Sequence, residues 1–108
     1  MQKHNIYALC EPGTLEARYI GRSGCDIRKR LGIHIAAAKR GGTAPVNLWI
    51  RELVANNQEP SVILLGECPT KMVKSVERAW VHLFQDNGYN LLNVQLMKAM
   101  NGDTEPQE

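Results

Sequence analysis

The sequence predicts an α/β domain: a small three-stranded sheet, mixed or antiparallel, flanked by helices in the order β-β-α-α-β-α. Three observations carry that prediction. Two short segments around Tyr7 and Tyr19 flank a turn built on Pro12-Gly13, which reads as a hairpin. Three longer stretches end at Gly41-Gly42, Asn56-Asn57 and Asn87-Gly88, and their apolar residues recur at the helical spacing of three and four. A continuous apolar run, Val62-Ile63-Leu64-Leu65, lies between the second and third of these stretches. At 108 residues the chain is long enough for one hydrophobic core and too short for two. Residues 1–95 are expected to form that single domain, and 96–108 a flexible C-terminal tail.

In the first strand Ile6, Ala8 and Cys10 alternate with Tyr7 and Leu9, a period of two. Glu11-Pro12-Gly13-Thr14 turns the chain, because proline fixes φ and glycine accepts the positive φ of a tight reversal. Arg18-Tyr19-Ile20-Gly21 is the returning strand, and the glycine at its end lets another group approach the backbone closely. A register with Cys10 opposite Glu16 sets Tyr7 directly across from Tyr19, with Cβ atoms about 5 Å apart. Asp26 caps a helix that runs to about Arg40 and stops at Gly41-Gly42. Its buried stripe is Ile27, Leu31, Ile35 and Ala38, and Arg30 and His34 share an adjoining face one turn apart. Gly32, inside this helix, costs roughly 1 kcal/mol relative to alanine and is read as a point of close packing.

Pro45 suits the first turn of a second helix, whose inward residues are Val46, Trp49, Ile50, Leu53 and Val54. Pro60 opens the third strand, Ser61 to Gly66, and its unbroken apolar run predicts burial on both faces. Pro69-Thr70 begins the last helix, which directs Val73, Val76, Trp80, Leu83 and Phe84 inward and carries Glu77 along that apolar flank. The segment from Tyr89 to Val94 then returns to the core as a short strand.

Composition excludes several classes of protein. Apolar residues at 44% and charged residues at 22% are ordinary for a water-facing domain. No apolar run approaches the roughly 20 residues of a membrane span, and the start lacks a signal-peptide pattern, so a cytoplasmic location is expected. Cys10, Cys25 and Cys68 match no zinc spacing and are expected to be unpaired thiols in a reducing compartment. The net charge is only +2, but Arg22, Arg28, Lys29, Arg30, Lys39, Arg40 and Arg51 cluster in one third of the chain. Asp103, Glu105 and Glu108 sit in the last six residues. A basic middle and an acidic end suit a phosphate-facing surface and a solvated tail.

The pattern places Tyr7, Tyr19, Arg30, His34, Glu77 and either Asn90 or Asn93 beside the core. A lone carboxylate does not make the paired site of a glycosidase. No serine or cysteine nucleophile stands at a recognised distance from a base, and no glycine-rich phosphate loop precedes a helix. What remains fits phosphodiester hydrolysis. Arginine grips two phosphate oxygens through its fork, one carboxylate can share a magnesium ion with water and substrate, and tyrosine or histidine can orient or deprotonate a water. Each residue also has a plainer use: a core aromatic, a solvated helix face, a surface ion pair, a turn cap.

Asn5-Ile6-Tyr7 and Tyr19-Ile20-Gly21, followed by Arg30 and His34 one turn apart, then Glu77 in Ser75-Val76-Glu77-Arg78-Ala79-Trp80, and last Leu91-Leu92-Asn93, together resemble the GIY-YIG nucleases. The stretch Pro45 to Leu53 looks like the second helix of their small stand-alone and phage-type members. The resemblance spans roughly residues 4–95. Asn5 replaces the first glycine of the motif, Thr43 lies where some members carry another histidine, and the chain continues Val94-Gln95-Leu96-Met97 where many are glycine-rich.

The resemblance implies a DNA endonuclease that depends on Mg2+ or Mn2+. Its metal ligand would be Glu77, and its catalytic residues Tyr7, Tyr19, Arg30, His34 and Asn93, with the base open between the two tyrosines. Asn93 is preferred to Asn90 because it follows Leu91-Leu92. Arg22, Arg28, Lys29, Lys39 and Arg40 would bind DNA. No zinc finger, helix-turn-helix or dimerisation signal is legible, so targeting would come from the domain itself, from substrate shape, from a homodimer or from a partner. The alternative reading is a nucleic-acid-binding module that keeps the fold without cleaving.

Overall fold

The structure is a computed structural model that describes residues 2–93. Three strands, β1 (Lys3–Cys10), β2 (Ala17–Ser23) and β3 (Ser61–Pro69), and three helices, α1 (Ile27–Lys39), α2 (Pro45–Ala55) and α3 (Val73–Asp86), follow one another in the expected order β-β-α-α-β-α. A 3-10 turn at Thr70–Met72 leads into α3. The sheet is antiparallel throughout, with β1 in the centre between β2 and β3.

The period of two in β1 sorts its side chains onto two faces, and both faces are covered. Ile6, Ala8 and Cys10 join Ile20, Val73, Val81 and Leu91 in one cluster beneath α3. Tyr7 and Leu9 join Ala38, Val46, Ile50 and Leu92 in a second cluster beneath α1 and α2. All five residues from Ile6 to Cys10 are buried, as a central strand sandwiched between helices requires.

β1 is thus the strand buried on both faces, and the expectation of that place for β3 is corrected. β3 pairs only with β1 and lies at an edge, with Leu64 53% exposed; its apolar run is only partly buried, Ile63 and Leu65 packing on one cluster and Val62 on the other. The register of the hairpin differs too. Tyr7 pairs with Gly21 and Leu9 with Tyr19, while a bulge between Leu9 and Cys10 sets Cys10 across from Ala17. Tyr7 and Tyr19 are therefore diagonal neighbours on one face and not a direct pair.

Asp26 caps α1, its carboxylate accepting from the backbone of Arg28 and Lys29. Ile27, Leu31 and Ile35 pack inward as their spacing predicts. Gly32 is not a packing point: a Cβ built there meets nothing within 4 Å. In α3, Val81 is buried while Leu83 is 51% exposed, because the buried face is centred nearer Val73 and Val81 than the apolar spacing suggested. Asn87 closes the helix and Gly88 follows at a φ of 88°.

The segment after Gly88 forms no strand: residues 89–91 are irregular and Leu92-Asn93 is helical. A side chain does the pairing there instead. Asn93 accepts from the backbone N–H of Ile20 at 2.8 Å and donates to its carbonyl at 2.7 Å, satisfying the outer edge of β2 as a fourth strand would. Arg18 ties the same corner together. It donates to the Asn90 carbonyl at 3.0 Å, pairs with Glu11 at 2.8 Å and lies 5.7 Å from the centre of the Trp49 ring. Val94, the expected tail at 96–108 and its acids lie outside the described residues. Among the described residues no helix is long and apolar enough to cross a membrane.

Candidate active site

The β1–β2 pairing and the start of α1 bring four of the expected residues together. Tyr7 sits on the central strand with its ring under α1, and its hydroxyl is 2.7 Å from Nε2 of His34. Tyr19 contributes a second ring to the same imidazole, edge to face at 5.4 Å between centroids. Arg30 stands one turn before His34, and its Nε is buried with no hydrogen-bond partner among the described residues. Buried donors are nearly always paired, and the Arg30 guanidinium lies close enough to the Tyr7 hydroxyl to favour its ionised form.

Gly21 makes the arrangement sterically possible. A Cβ built on it falls 2.5 Å from the Tyr7 hydroxyl oxygen and 3.0 Å from a Tyr19 ring carbon, distances that no side chain tolerates. The glycine at the end of β2 was expected to admit a close approach, and the group that approaches is the Tyr7 phenol. Asn5, at the glycine position of the motif, donates from Nδ2 to the Cys25 carbonyl at 3.2 Å. It ties the start of β1 to the loop that aims α1.

Glu77 reaches the edge of β2 from α3, and Arg22 is the residue it meets there. Arg22 pairs with Ile6 and so shares the α3 face, where its Nη1 is 3.6 Å from Oε1 of Glu77. This ion pair joins residues 55 positions apart in the chain, and only the strand register brings them together. Both groups lie close enough to β2 that the Glu77 charge raises the pKa of Tyr7 and of Tyr19.

Burial dominates the electrostatics. It pushes the Tyr7 phenol up to about 12, the neighbouring Arg30 pulling the other way, and it raises Tyr19 as well. His34 is pushed down to about 4, first by burial and then by the Arg30 charge. Glu77 is raised by burial, with Arg22 opposing. At neutral pH the Tyr7–His34 pair is therefore a neutral phenol on a neutral imidazole, a short path for a proton with no standing charge.

No group of three or more His, Cys, Asp or Glu side chains converges among the described residues, so a closed metal cage is not built. Glu77 fits a magnesium ion only in the open mode, with one carboxylate ligand and the remaining positions filled by water and phosphate oxygens. The other expected residues divide. The Asn93 amide holds the β2 edge through one accepted and one donated hydrogen bond with the Ile20 backbone, which use one of its two N–H donors. Asn90 is exposed, and its backbone carbonyl accepts from Arg18. Arg28 and Lys29 are exposed at the start of α1, and Lys39 and Arg40 at its end. Arg51 is held elsewhere, its Nε donating to the Ala38 carbonyl at 3.0 Å. Comparison of the chain with protein-family models, curated proteins and solved structures returns no match.

Proposed function

We propose that the chain is a GIY-YIG-type endonuclease that hydrolyses DNA phosphodiester bonds with a divalent metal ion, Mg2+ or Mn2+. The observation that carries the reading is the buried Nε of Arg30, without a hydrogen-bond partner among the described residues, beside the Tyr7–His34 hydrogen bond: an anion-seeking donor next to a proton relay. The order and spacing of the motifs through Glu77 support it.

In this mechanism a scissile phosphate rests on the Arg30 fork, which is best matched to the charge that builds on the non-bridging oxygens in the transition state. Tyr7, already bonded to His34, is the base. An ordinary phenol is about one part in a thousand ionised at neutral pH, and a pKa of about 12 makes free tyrosinate rarer still. Tyr7 therefore acts as a relay. The water oxygen bonds to phosphorus, its proton passes to the Tyr7 oxygen, and the Tyr7 proton passes to Nε2 of His34 in its Nδ1–H tautomer. The bond from phosphorus to the leaving oxygen breaks, and that oxygen takes a proton from solvent. A metal ion held by Glu77 supplies Lewis-acid stabilisation of phosphate oxygens when bound. Arg28, Lys29, Lys39 and Arg40 contribute salt-dependent affinity for the flanking backbone. A cytoplasmic location, where the three free cysteines stay reduced, goes with this reading.

The test is incubation with plasmid and end-labelled oligonucleotides in Mg2+ or Mn2+ against a chelator. Metal-dependent cuts are expected. Binding that is never followed by cutting would support the non-cleaving module instead.

A further inference from the structure

We propose that Arg22 and a divalent metal ion exchange places on Glu77, so that the metal's arrival releases Arg22 to a DNA phosphate. The proposal rests on the endonuclease reading and assigns Arg22 a coupling role within it. Arg22 and Glu77 meet at 3.6 Å, beyond hydrogen-bond range, with side chains 40% and 24% exposed. The contact is between charges that water reaches on both sides, so it opens without breaking packing. Among the described residues Glu77 belongs to no group of three or more potential metal ligands, so a metal there would lean on this carboxylate and on water and phosphate oxygens.

One negative charge cannot neutralise both a guanidinium and a dication. A metal on Glu77 would add two positive charges beside Arg22, and the Arg22 side chain, 40% exposed, is free to leave. It stands on an edge strand next to Gly21, the residue against which the Tyr7 phenol packs. A displaced guanidinium there finds its matching partner in a phosphate. Linkage then works in both directions: whatever factor DNA adds to metal affinity, metal adds to DNA affinity. Until both arrive, Arg22 keeps the half-buried Glu77 carboxylate from standing as an uncompensated charge.

Two measurements on the full chain test the exchange. In the first, Mn2+ binding is followed by electron spin resonance for the parent, Arg22→Met, Arg22→Lys and Glu77→Gln. Arg22→Met is expected to bind Mn2+ about two- to fivefold tighter, the range carried by a partly exposed ion pair. Arg22→Lys should stay near the parent, and Glu77→Gln should lose most of the binding. In the second, affinity for a short labelled duplex is measured in chelator. Glu77→Gln should bind more tightly by a similar factor in the parent, and that gain should shrink in the Arg22→Met background. Equal Mn2+ affinity in the parent and Arg22→Met, with Glu77→Gln still deficient, overturns the exchange and leaves the metal reading standing. Strictly additive duplex affinities overturn it too. Unchanged Mn2+ binding in Glu77→Gln removes the metal from Glu77 altogether, and the exchange with it.

Discussion

The hydroxyl of Tyr7 lies 2.7 Å from Nε2 of His34, and this bond joins the central strand of the sheet to α1 inside the core. Burial holds both partners neutral, which gives the pair a signature in the pH dependence of stability. His34 is pushed down to about 4 from 6.5, so the folded protein binds this proton less readily than the unfolded chain. The contribution of a neutral His34 is fully present above about pH 6.5 and is lost as pH falls toward 4. The shift corresponds to about 3 kcal/mol at most. Urea midpoints between pH 7 and pH 4 should fall for the parent and fall less for His34→Gln. Parallel losses would place the acid sensitivity elsewhere.

Gly21 holds that bond in place from below. An alanine Cβ would occupy the space of the Tyr7 hydroxyl, and the Tyr7 side chain is buried. Overpacking of this kind costs about 1–3 kcal/mol. Gly21→Ala should therefore lower the melting temperature and reduce cleavage toward the level of Tyr7→Phe. A stable, fully active Gly21→Ala protein would show that the phenol can leave His34 without consequence.

The hairpin, the ends of the helices and the cap at Asp26 were legible in the sequence because each is fixed by local chemistry: turn residues, spacing and a side-chain acceptor. The start of α3 was not, because β3 runs on to Pro69 and a 3-10 turn precedes Val73. The strand register was not legible. It depends on a one-residue bulge between Leu9 and Cys10, which no periodicity announces, and it turned Tyr7 from the partner of Tyr19 into the partner of Gly21. The place of β3 was misread for a related reason. A run of Val, Ile and Leu fits either a central strand or an edge strand that is only partly buried, and only the pairing of β1 on both sides separates them. Tyr7, Arg30 and His34 could be grouped from their spacing. The Arg22–Glu77 contact could not, because it follows from strand parity across the sheet.

Asn93 and Asn90 should separate by stability. Asn93→Ala removes two hydrogen bonds and leaves the Ile20 edge unpaired, a loss of about 2 kcal/mol, and any fall in cleavage should follow that loss. Asn90→Ala leaves its bonded carbonyl in place and should stay within about 0.5 kcal/mol of the parent. Thermal melts alongside cutting rates decide it. An Asn93→Ala protein with parental stability and no activity would put the amide in contact with substrate.

Glu77→Gln keeps the side-chain shape and removes the ligand charge, so cleavage in Mg2+ should be abolished while duplex binding stays within a few-fold. The comparison is cutting rate and anisotropy on the same preparation. A variant that cuts normally in Mg2+ would take Glu77 out of the site.

Arg30 is the residue on which the enzyme reading depends most. Its Nε is buried and has no hydrogen-bond partner among the described residues while its charge lowers the pKa of His34 and of Tyr7, so it faces the relay and not the solvated outside of α1. A guanidinium there can make paired hydrogen bonds to the non-bridging oxygens that gain charge in the transition state. Removing such a donor costs on the order of 3 kcal/mol, or about 10²-fold in rate. Lysine keeps the charge and loses the fork, so Arg30→Lys should be poor and Arg30→Ala worse. Arg28 and Lys29 are exposed on the same turn and serve as internal controls: their alanine variants should weaken duplex affinity and flatten its salt dependence with little effect on the chemical step. Single-turnover cleavage at saturating protein separates the two effects. If Arg30→Ala then cuts at the parental rate, Arg30 only binds DNA and the phosphate position proposed beside Tyr7 and His34 is wrong.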